Sequence, residues 1–143
     1  MPNEFRIRRG LDADLAAVEE IQQGAPEAAH WQVNEYLQYE FYIAEVTFPK
    51  IEVAGFIAWR EVTTGEWELL NLAVLPAFRR RGVASVLLMK LLQLQAGSAF
   101  LEVRESNQGA RAFYALHGFH QVGLRRNYYS SPIENAIVLR FQK

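Results

Sequence analysis

The chain has no cysteine among its 143 residues. That absence excludes a disulfide scaffold, a cysteine-ligated zinc site and a thiol nucleophile together. Histidine is scarce as well. His30, His117 and His120 are scattered without metal-ligand spacing and read as surface or structural residues, so no metal is expected. Charge of one sign is also lacking, because 15 basic against 16 acidic residues leave a net charge of −1. A general nucleic-acid binder is normally strongly basic, so no nucleic-acid partner is expected. No apolar run approaches the ~20 residues of a membrane span. The longest uncharged stretch near the middle, residues 69–78, is broken by Asn71 and Pro76. Residues 1–10 carry Glu4, Arg6, Arg8 and Arg9 with no apolar segment behind them, so no targeting signal is expected. These absences together lead us to expect a cytoplasmic protein with no membrane partner.

What is present is ordinary for a globular fold: 50% hydrophobic and 22% charged residues. A chain of this length buries roughly two-thirds of its unfolded surface. We find no repeat, low-complexity tract or linker, and the gaps between periodic segments are short, so residues 1–143 are expected to form a single domain. Phe5-Arg6-Ile7-Arg8 alternates as a half-buried strand does. Asp12 offers an N-cap to a helix carrying Leu15, Val18 and Ile21, which stops at residues 24–26. Residues 31–39 predict a second short helix. Residues 41–48 and 51–62 form a hairpin about Pro49-Lys50, and residues 67–75 follow a turn at Thr63-Thr64-Gly65. Residues 83–96 are apolar on all sides and rich in helix formers, which predicts a buried helix. A strand over residues 99–104, a helix between an N-cap at Ser106-Asn107 and a stop at Gly118, and strands over 119–124 and 136–141 complete the order β-α-α-β-β-β-α-β-α-β-β. The expected fold class is α/β (mixed α+β), with a mixed, mostly antiparallel sheet and helices on both faces.

Three clusters carry chemistry. In the first, the strand segment Leu72-Ala73-Val74 runs into Arg79-Arg80-Arg81-Gly82-Val83-Ala84 at the start of the apolar helix. Helix N-termini expose unpaired N–H groups with a partial positive charge, and Gly82 lets a ligand approach the backbone, so the loop suits a pyrophosphate. It lacks the glycine spacing of a P-loop or a dinucleotide fingerprint. Taken by itself, the loop also admits the alternative of a solvated basic surface segment. In the second, Leu101-Glu102-Val103-Arg104, alternation sets Glu102 on the face opposite Leu101 and Val103. A buried Glu102 suits a general base, and an ion pair with Arg104 or across strands is the plainer alternative. In the third, Tyr114 shares a helix face with Ala110. A core tyrosine with a satisfied hydroxyl is its alternative.

Taken together, the clusters resemble the GNAT N-acetyltransferase superfamily. The loop Arg79-x-x-Gly82-x-Ala84 is similar to its acetyl-CoA signature, Gln/Arg-x-x-Gly-x-Gly/Ala. Leu101-Glu102-Val103-Arg104-x-Ser106-Asn107, Phe113-Tyr114-x-x-x-Gly118-Phe119, Arg125-Arg126-Asn127-Tyr128-Tyr129 and Pro132-x-Glu134-Asn135-Ala136 resemble the bacterial ribosomal-protein alanine N-acetyltransferases. The resemblance implies acetyl-CoA as cosubstrate. The main chain of Leu72, Ala73 and Val74 would pair with its pantetheine, Arg79, Arg80, Arg81, Gly82, Val83 and Ala84 would bind its pyrophosphate, and Asn107 would bond near the thioester. It also implies Glu102 as general base and Tyr114 as general acid, with Arg125, Tyr128, Tyr129 and Glu134 bordering an acceptor. The implied acceptor is a protein N-terminus such as the N-terminal alanine of a ribosomal protein, and the chain is expected to be a monomer or homodimer. Two departures are visible. Asn135 stands where family members often carry aspartate, and residues 26–39, which help form the acceptor groove in the family, are only loosely alike.

Amine chemistry favours this acceptor. Roughly a tenth of an α-amine of pKa ~7.7–8.0 is neutral at pH 7, against less than about one lysine in a thousand. Other readings are acetylation of a small-molecule amine or a lysine, a CoA-binding module without catalysis, and an RNA binder using the arginines. The joint presence of Glu102 and Tyr114 argues against the module, and the net charge against RNA.

Overall fold

The computed structural model describes residues 5–25, 31–95 and 97–142. Pro26 at the expected end of the first helix, His30, and Ala96 at the expected end of the long helix lie outside them. The elements are β1 (Phe5–Arg9), α1 (Leu15–Gln23), β2 (Glu40–Val46), β3 (Glu52–Thr63), β4 (Glu66–Val74), α2 (Val83–Leu94), β5 (Ser98–Arg104), α3 (Gln108–Leu116), β6 (His120–Tyr129) and β7 (Glu134–Gln142). Seven strands form one sheet in the order β1-β2-β3-β4-β5-β7-β6. The β4–β5 pair is parallel, as the helical crossover between them requires, and the β1–β2, β2–β3, β5–β7 and β6–β7 pairs are antiparallel. Apart from the second predicted helix, the order read from periodicity is the observed one.

Four expectations change. Asp12 lies inside a 3-10 turn (Asp12–Asp14) and does not cap α1, whose N-cap residue is Asp14 without a side-chain capping bond. The segment predicted as a second helix is a 3-10 stretch over Val33–Gln38, a form that rarely runs longer because its hydrogen bonds are poorer. The helix α2 is not buried on all sides. It sinks Val83, Leu87, Leu88 and Leu91, while Val86, Met89 and Leu94 are exposed. Finally, β6 extends five residues past the predicted 124, so Arg125, Tyr128 and Tyr129 are strand residues.

The chain divides into two compact units, Met1–Arg60 with Leu69–Gln95, and Glu61–Glu68 with Ala96–Lys143. In the first unit, Val18 and Ile21 of α1 pack with Phe41 and Ile43 of β2, Phe56 and Ala58 of β3, and Leu70 and Ala73 of β4. On the other sheet face, Val83 of α2 lies at Gly55, where a Cβ would meet Ala73 O at 2.9 Å. Inside the apolar layer sit three polar side chains. Tyr36 Oη donates to Gln22 Oε1 at 2.8 Å, and Asn71 Nδ2 reaches Gln22 Oε1 and Tyr36 Oη, each at 3.1 Å. Gln22 Nε2 donates to the Trp31 carbonyl (2.6 Å), and Asn71 Oδ1 accepts the Leu72 N–H (3.0 Å). The network joins α1, the 3-10 stretch and β4.

In the second unit, β5 pairs with β7 from Ser98↔Gln142 to Arg104↔Ala136. The helix α3 starts where predicted: Asn107 Oδ1 accepts the Ala110 N–H at 3.1 Å as its N-cap.

The first unit also carries an ion network. Arg8 donates to both oxygens of Asp14 at 2.9 Å and to Glu45 at 3.2 Å, and Arg6 donates to Glu45 at 2.5 Å. Arg6 is the main cause of a lowered pKa at Glu45, with Arg8 adding to it. Burial pushes Asp14 up, but Arg8 and the Leu11 N–H outweigh it and hold it low as well. Carboxyls depressed in the folded state stabilise fully above their unfolded values of ~3.9 and ~4.3, and that stability is lost as pH falls through the folded values. Thermal melts should therefore hold a steady Tm from about pH 7 to about pH 5 and drop below about pH 4. Arg8→Gln should flatten this acid slope.

Candidate active site

The first unit holds the loop expected to take a pyrophosphate. Arg79 Nε donates to the Val74 carbonyl (3.3 Å) and Arg79 Nη2 to the Gly24 carbonyl (3.2 Å). That guanidinium ties the end of β4 to the end of α1, so its first role is to shape the loop. Arg81 lies over the Phe78 ring at 5.5 Å. Arg80 and Gly82 both adopt positive φ, 65° and 81°. Such alternating left-handed turns gather backbone N–H groups into an anion-binding concavity. No side chain caps α2, and an α-helix leaves its first N–H groups, here those of Val83 and Ala84, without intrahelical partners. A Cβ placed on Gly82 meets nothing within 4 Å. An open, uncapped, left-handed helix start fits a phosphate-bearing ligand. Along β4, the Leu72 N–H is already taken by Asn71. Any amide pairing by Leu72 would therefore fall to its carbonyl.

The second unit gathers most of the other candidates. Glu102 lies on the half-buried face of β5, as alternation predicts, with Leu101 and Val103 buried on the other. It is ion-paired, but with Arg125 of β6 rather than Arg104. Tyr128 of β6 also hydrogen-bonds Glu102, and its pKa is raised, chiefly by burial and then by that bond. Tyr129 is pushed up to about 12 by burial and by the charge of Glu102, and Arg104 stacks over its ring at 4.4 Å. Glu134 is committed internally. It accepts the Ser106 N–H at 2.5 Å and pairs with Arg104 at 3.2 Å. Its pKa is lowered first by its hydrogen bond with Ser106. Asn135 uses both ends of its amide, Oδ1 accepting the Asn127 N–H (2.9 Å) and Nδ2 donating to Glu105 Oε1 (3.2 Å). An aspartate there would confront Glu105 with a second carboxylate, so asparagine suits this position.

Tyr114 is buried, packed edge-on against Phe113 and Phe119 with centroids 5.2 and 5.4 Å away. Burial raises its pKa well above the ordinary tyrosine range, which keeps its hydroxyl a proton-bearing donor. Asn107 spends Oδ1 on its own helix, and Nδ2 is the group it can offer a ligand. The structure thus brings Glu102, Arg125, Tyr128 and Tyr129 together on β5 and β6. Sequence reading allowed Glu102 a cross-strand ion pair but did not name Arg125 as its partner, because strand alternation by itself does not say which strand lies beside which. Among the described residues no group of three histidine, aspartate or glutamate side chains could hold a metal ion, and no helix is long and apolar enough to cross a membrane.

Comparison with known proteins gives a consistent picture. The Acetyltransferase (GNAT) family matches residues 12–119. A [ribosomal protein bS18]-alanine N-acetyltransferase of Haemophilus ducreyi is 46% identical over 81 residues, covering 52% of this chain and 56% of that protein. The match thus spans little more than half that relative's length. The Salmonella typhimurium protein of the same name is 36% identical over 134 residues, covering 88% of this chain and 89% of that protein. The crystal structure of the ribosomal-protein-S18-alanine N-acetyltransferase from Escherichia coli superposes with a TM-score of 0.80 at 28% identity, over 96% of this chain and 93% of that one.

The loop geometry has a direct consequence. Gly82→Ala should cost about 1–2 kcal/mol in chemical denaturation, because a Cβ is penalised in the left-handed region even with open space around it. Gly109→Ala, inside α3 with its nearest neighbour at 4.0 Å, should instead gain about 0.5–1 kcal/mol. Equal effects at the two sites would remove the conformational reason for Gly82.

Proposed function

The chain belongs to the GNAT acetyltransferase family, and on that premise we propose that it transfers an acetyl group from acetyl-CoA to the α-amine of a protein N-terminus. The observation that carries this reading is the Glu102 carboxylate, which sits 12% exposed on β5 in contact with the cationic, aromatic strand β6. The substrate class follows from the relatives named for alanine acetylation on a ribosomal protein, and a ribosomal-protein N-terminal alanine is the acceptor proposed here. Residues 1–143 would act as one cytoplasmic domain, with no metal and no nucleic acid in the reaction, as a monomer or homodimer.

Acetyl-CoA supplies the activated thioester carbonyl. The N–H groups of Val83 and Ala84, with Gly82, Arg80 and Arg81, hold its pyrophosphate. Ala73 and Val74, with the Leu72 carbonyl, pair with its pantetheine. Arg79 shapes this loop, and Asn107 Nδ2 donates near the thioester. Glu102 receives the proton lost by the attacking amine, directly or through one water. Tyr114 hydrogen-bonds the departing sulfur. An ordinary tyrosine is already ~1.5 units less acidic than a thiol, and burial widens the gap. Tyr114 therefore stabilises the thiolate more than it donates a proton outright. Tyr129 and Glu134 line the acceptor side, Glu134 by fixing the loop before α3.

The test is CoA release with a short peptide bearing a free N-terminal alanine, against the same peptide with its terminus blocked and a lysine retained. Turnover with the free terminus alone is expected. Turnover with the blocked peptide would transfer the assignment to lysine, and acetyl-CoA binding without turnover of either would leave a small amine as acceptor. Tyr114→Phe should lower kcat by about 10²-fold, the usual size for a positioned acid. Glu102→Gln should cost a similar factor in kcat at one fixed pH. Unchanged turnover would mean another residue is the base.

A further inference from the structure

We propose that Arg125 and Tyr128 are positioning residues for Glu102, holding its carboxylate from β6 through a bulge in that strand. The proposal rests on the reading of Glu102 as base and gives two residues expected at the acceptor a different task. It starts from geometry that a regular strand forbids. Residues three apart on a strand point to opposite faces of the sheet. Arg125 and Tyr128 are three apart, yet both contact the Glu102 carboxylate. The register of β6 against β7 explains how. It passes from Arg125↔Ala136 to Tyr129↔Glu134, so four steps on β6 span two on β7. Within this bulge Asn127 has a left-handed φ of 51°, and its N–H is bound by Asn135 Oδ1 at 2.9 Å. Bulges re-aim side chains, often beside active sites, and this one turns Arg125 and Tyr128 onto one carboxylate. The Arg125 guanidinium also lies over the Tyr128 ring at 5.5 Å, so the three side chains brace one another.

Stability does not account for the arrangement. Arg125 is 59% exposed, and ion pairs with so exposed a partner add little to folding. Positioning does account for it. A general base must reach the proton it accepts within hydrogen-bond distance or through one water, and Arg125 Nε fixes Glu102 Oε2 in one place. The other charged or titratable groups around the cluster are Glu68 on β4, Arg104 on β5, Tyr129 on β6 and Glu134 on β7. Arg104 is paired with Glu134.

Steady-state CoA release with the free-alanine peptide separates positioning from acceptor contact. Arg125→Gln is expected to lower kcat about tenfold, a part of what a general base contributes, with the peptide KM within about twofold. In a Glu102→Gln background the same change should cost nothing further, because a residue that acts through Glu102 then has nothing to act on. Equal losses in both backgrounds, or a raised peptide KM with kcat kept, would overturn the proposal and make Arg125 an acceptor contact. If Arg125→Gln does not fold, Tyr128→Phe carries the same cycle. An absorbance titration of tyrosinate tests the clamp without turnover. With the Tyr128 signal identified by its loss in Tyr128→Phe, Glu102→Gln should lower its midpoint, and an unmoved midpoint would refute the contact. If the wild-type protein turns over no peptide, the functional reading fails, and the titration still decides the clamp.

Discussion

Three polar side chains inside an apolar layer set the frame of the first unit. Gln22, Tyr36 and Asn71 are buried, and leaving any one of their polar groups unpaired there would cost about 1–3 kcal/mol. They satisfy each other only in one arrangement of α1, the 3-10 stretch and β4. The hydrophobic contacts of Val18, Ile21 and Phe56 supply most of the attraction, but they are non-directional. The hydrogen bonds supply the register. Asn71 extends that control further along β4, because its side-chain Oδ1 accepts the Leu72 N–H.

The same requirement shapes the second unit, nearer to the surface. Asn107 caps α3, Glu134 holds the Ser106 N–H, and Asn135 ties the β6 bulge to Glu105. Each was a candidate ligand contact or a departure from a family pattern, and each proves to be committed to local structure. These bonds fix the backbone around the proposed acceptor side. A residue that recurs in a motif can therefore earn its place by shaping the site without touching the substrate.

The chemistry proposed for this site makes modest demands. An α-amine is already partly neutral near pH 7, so a single carboxylate suffices to collect its proton. Buried Tyr114 keeps its proton and offers a hydrogen bond. The loop after β4 provides backbone N–H groups and two guanidinium groups, with Arg79 turned back onto Val74 and Gly24.

Local signals in the sequence determined a good deal. Alternation in Phe5-Arg6-Ile7-Arg8, the turn at Thr63-Thr64-Gly65, the cap at Asn107 and the glycine at 118 each depend on neighbours a few residues away, and the order of elements follows from them. The loop from Arg79 to Ala84 was legible for the same reason, since a helix start is a local feature. What the sequence could not decide lies in contacts between distant segments. Asn71 stands alone in an apolar run, and its buried partners Gln22 and Tyr36 lie 49 and 35 residues away. Likewise the pattern left Glu102 an ion pair with Arg104 or with an unnamed partner across strands, and only the strand order β5-β7-β6 and the bulge at Asn127 selected Arg125. Periodicity reports which face a side chain takes, whereas pairing across strands depends on register, and register is fixed by the whole sheet.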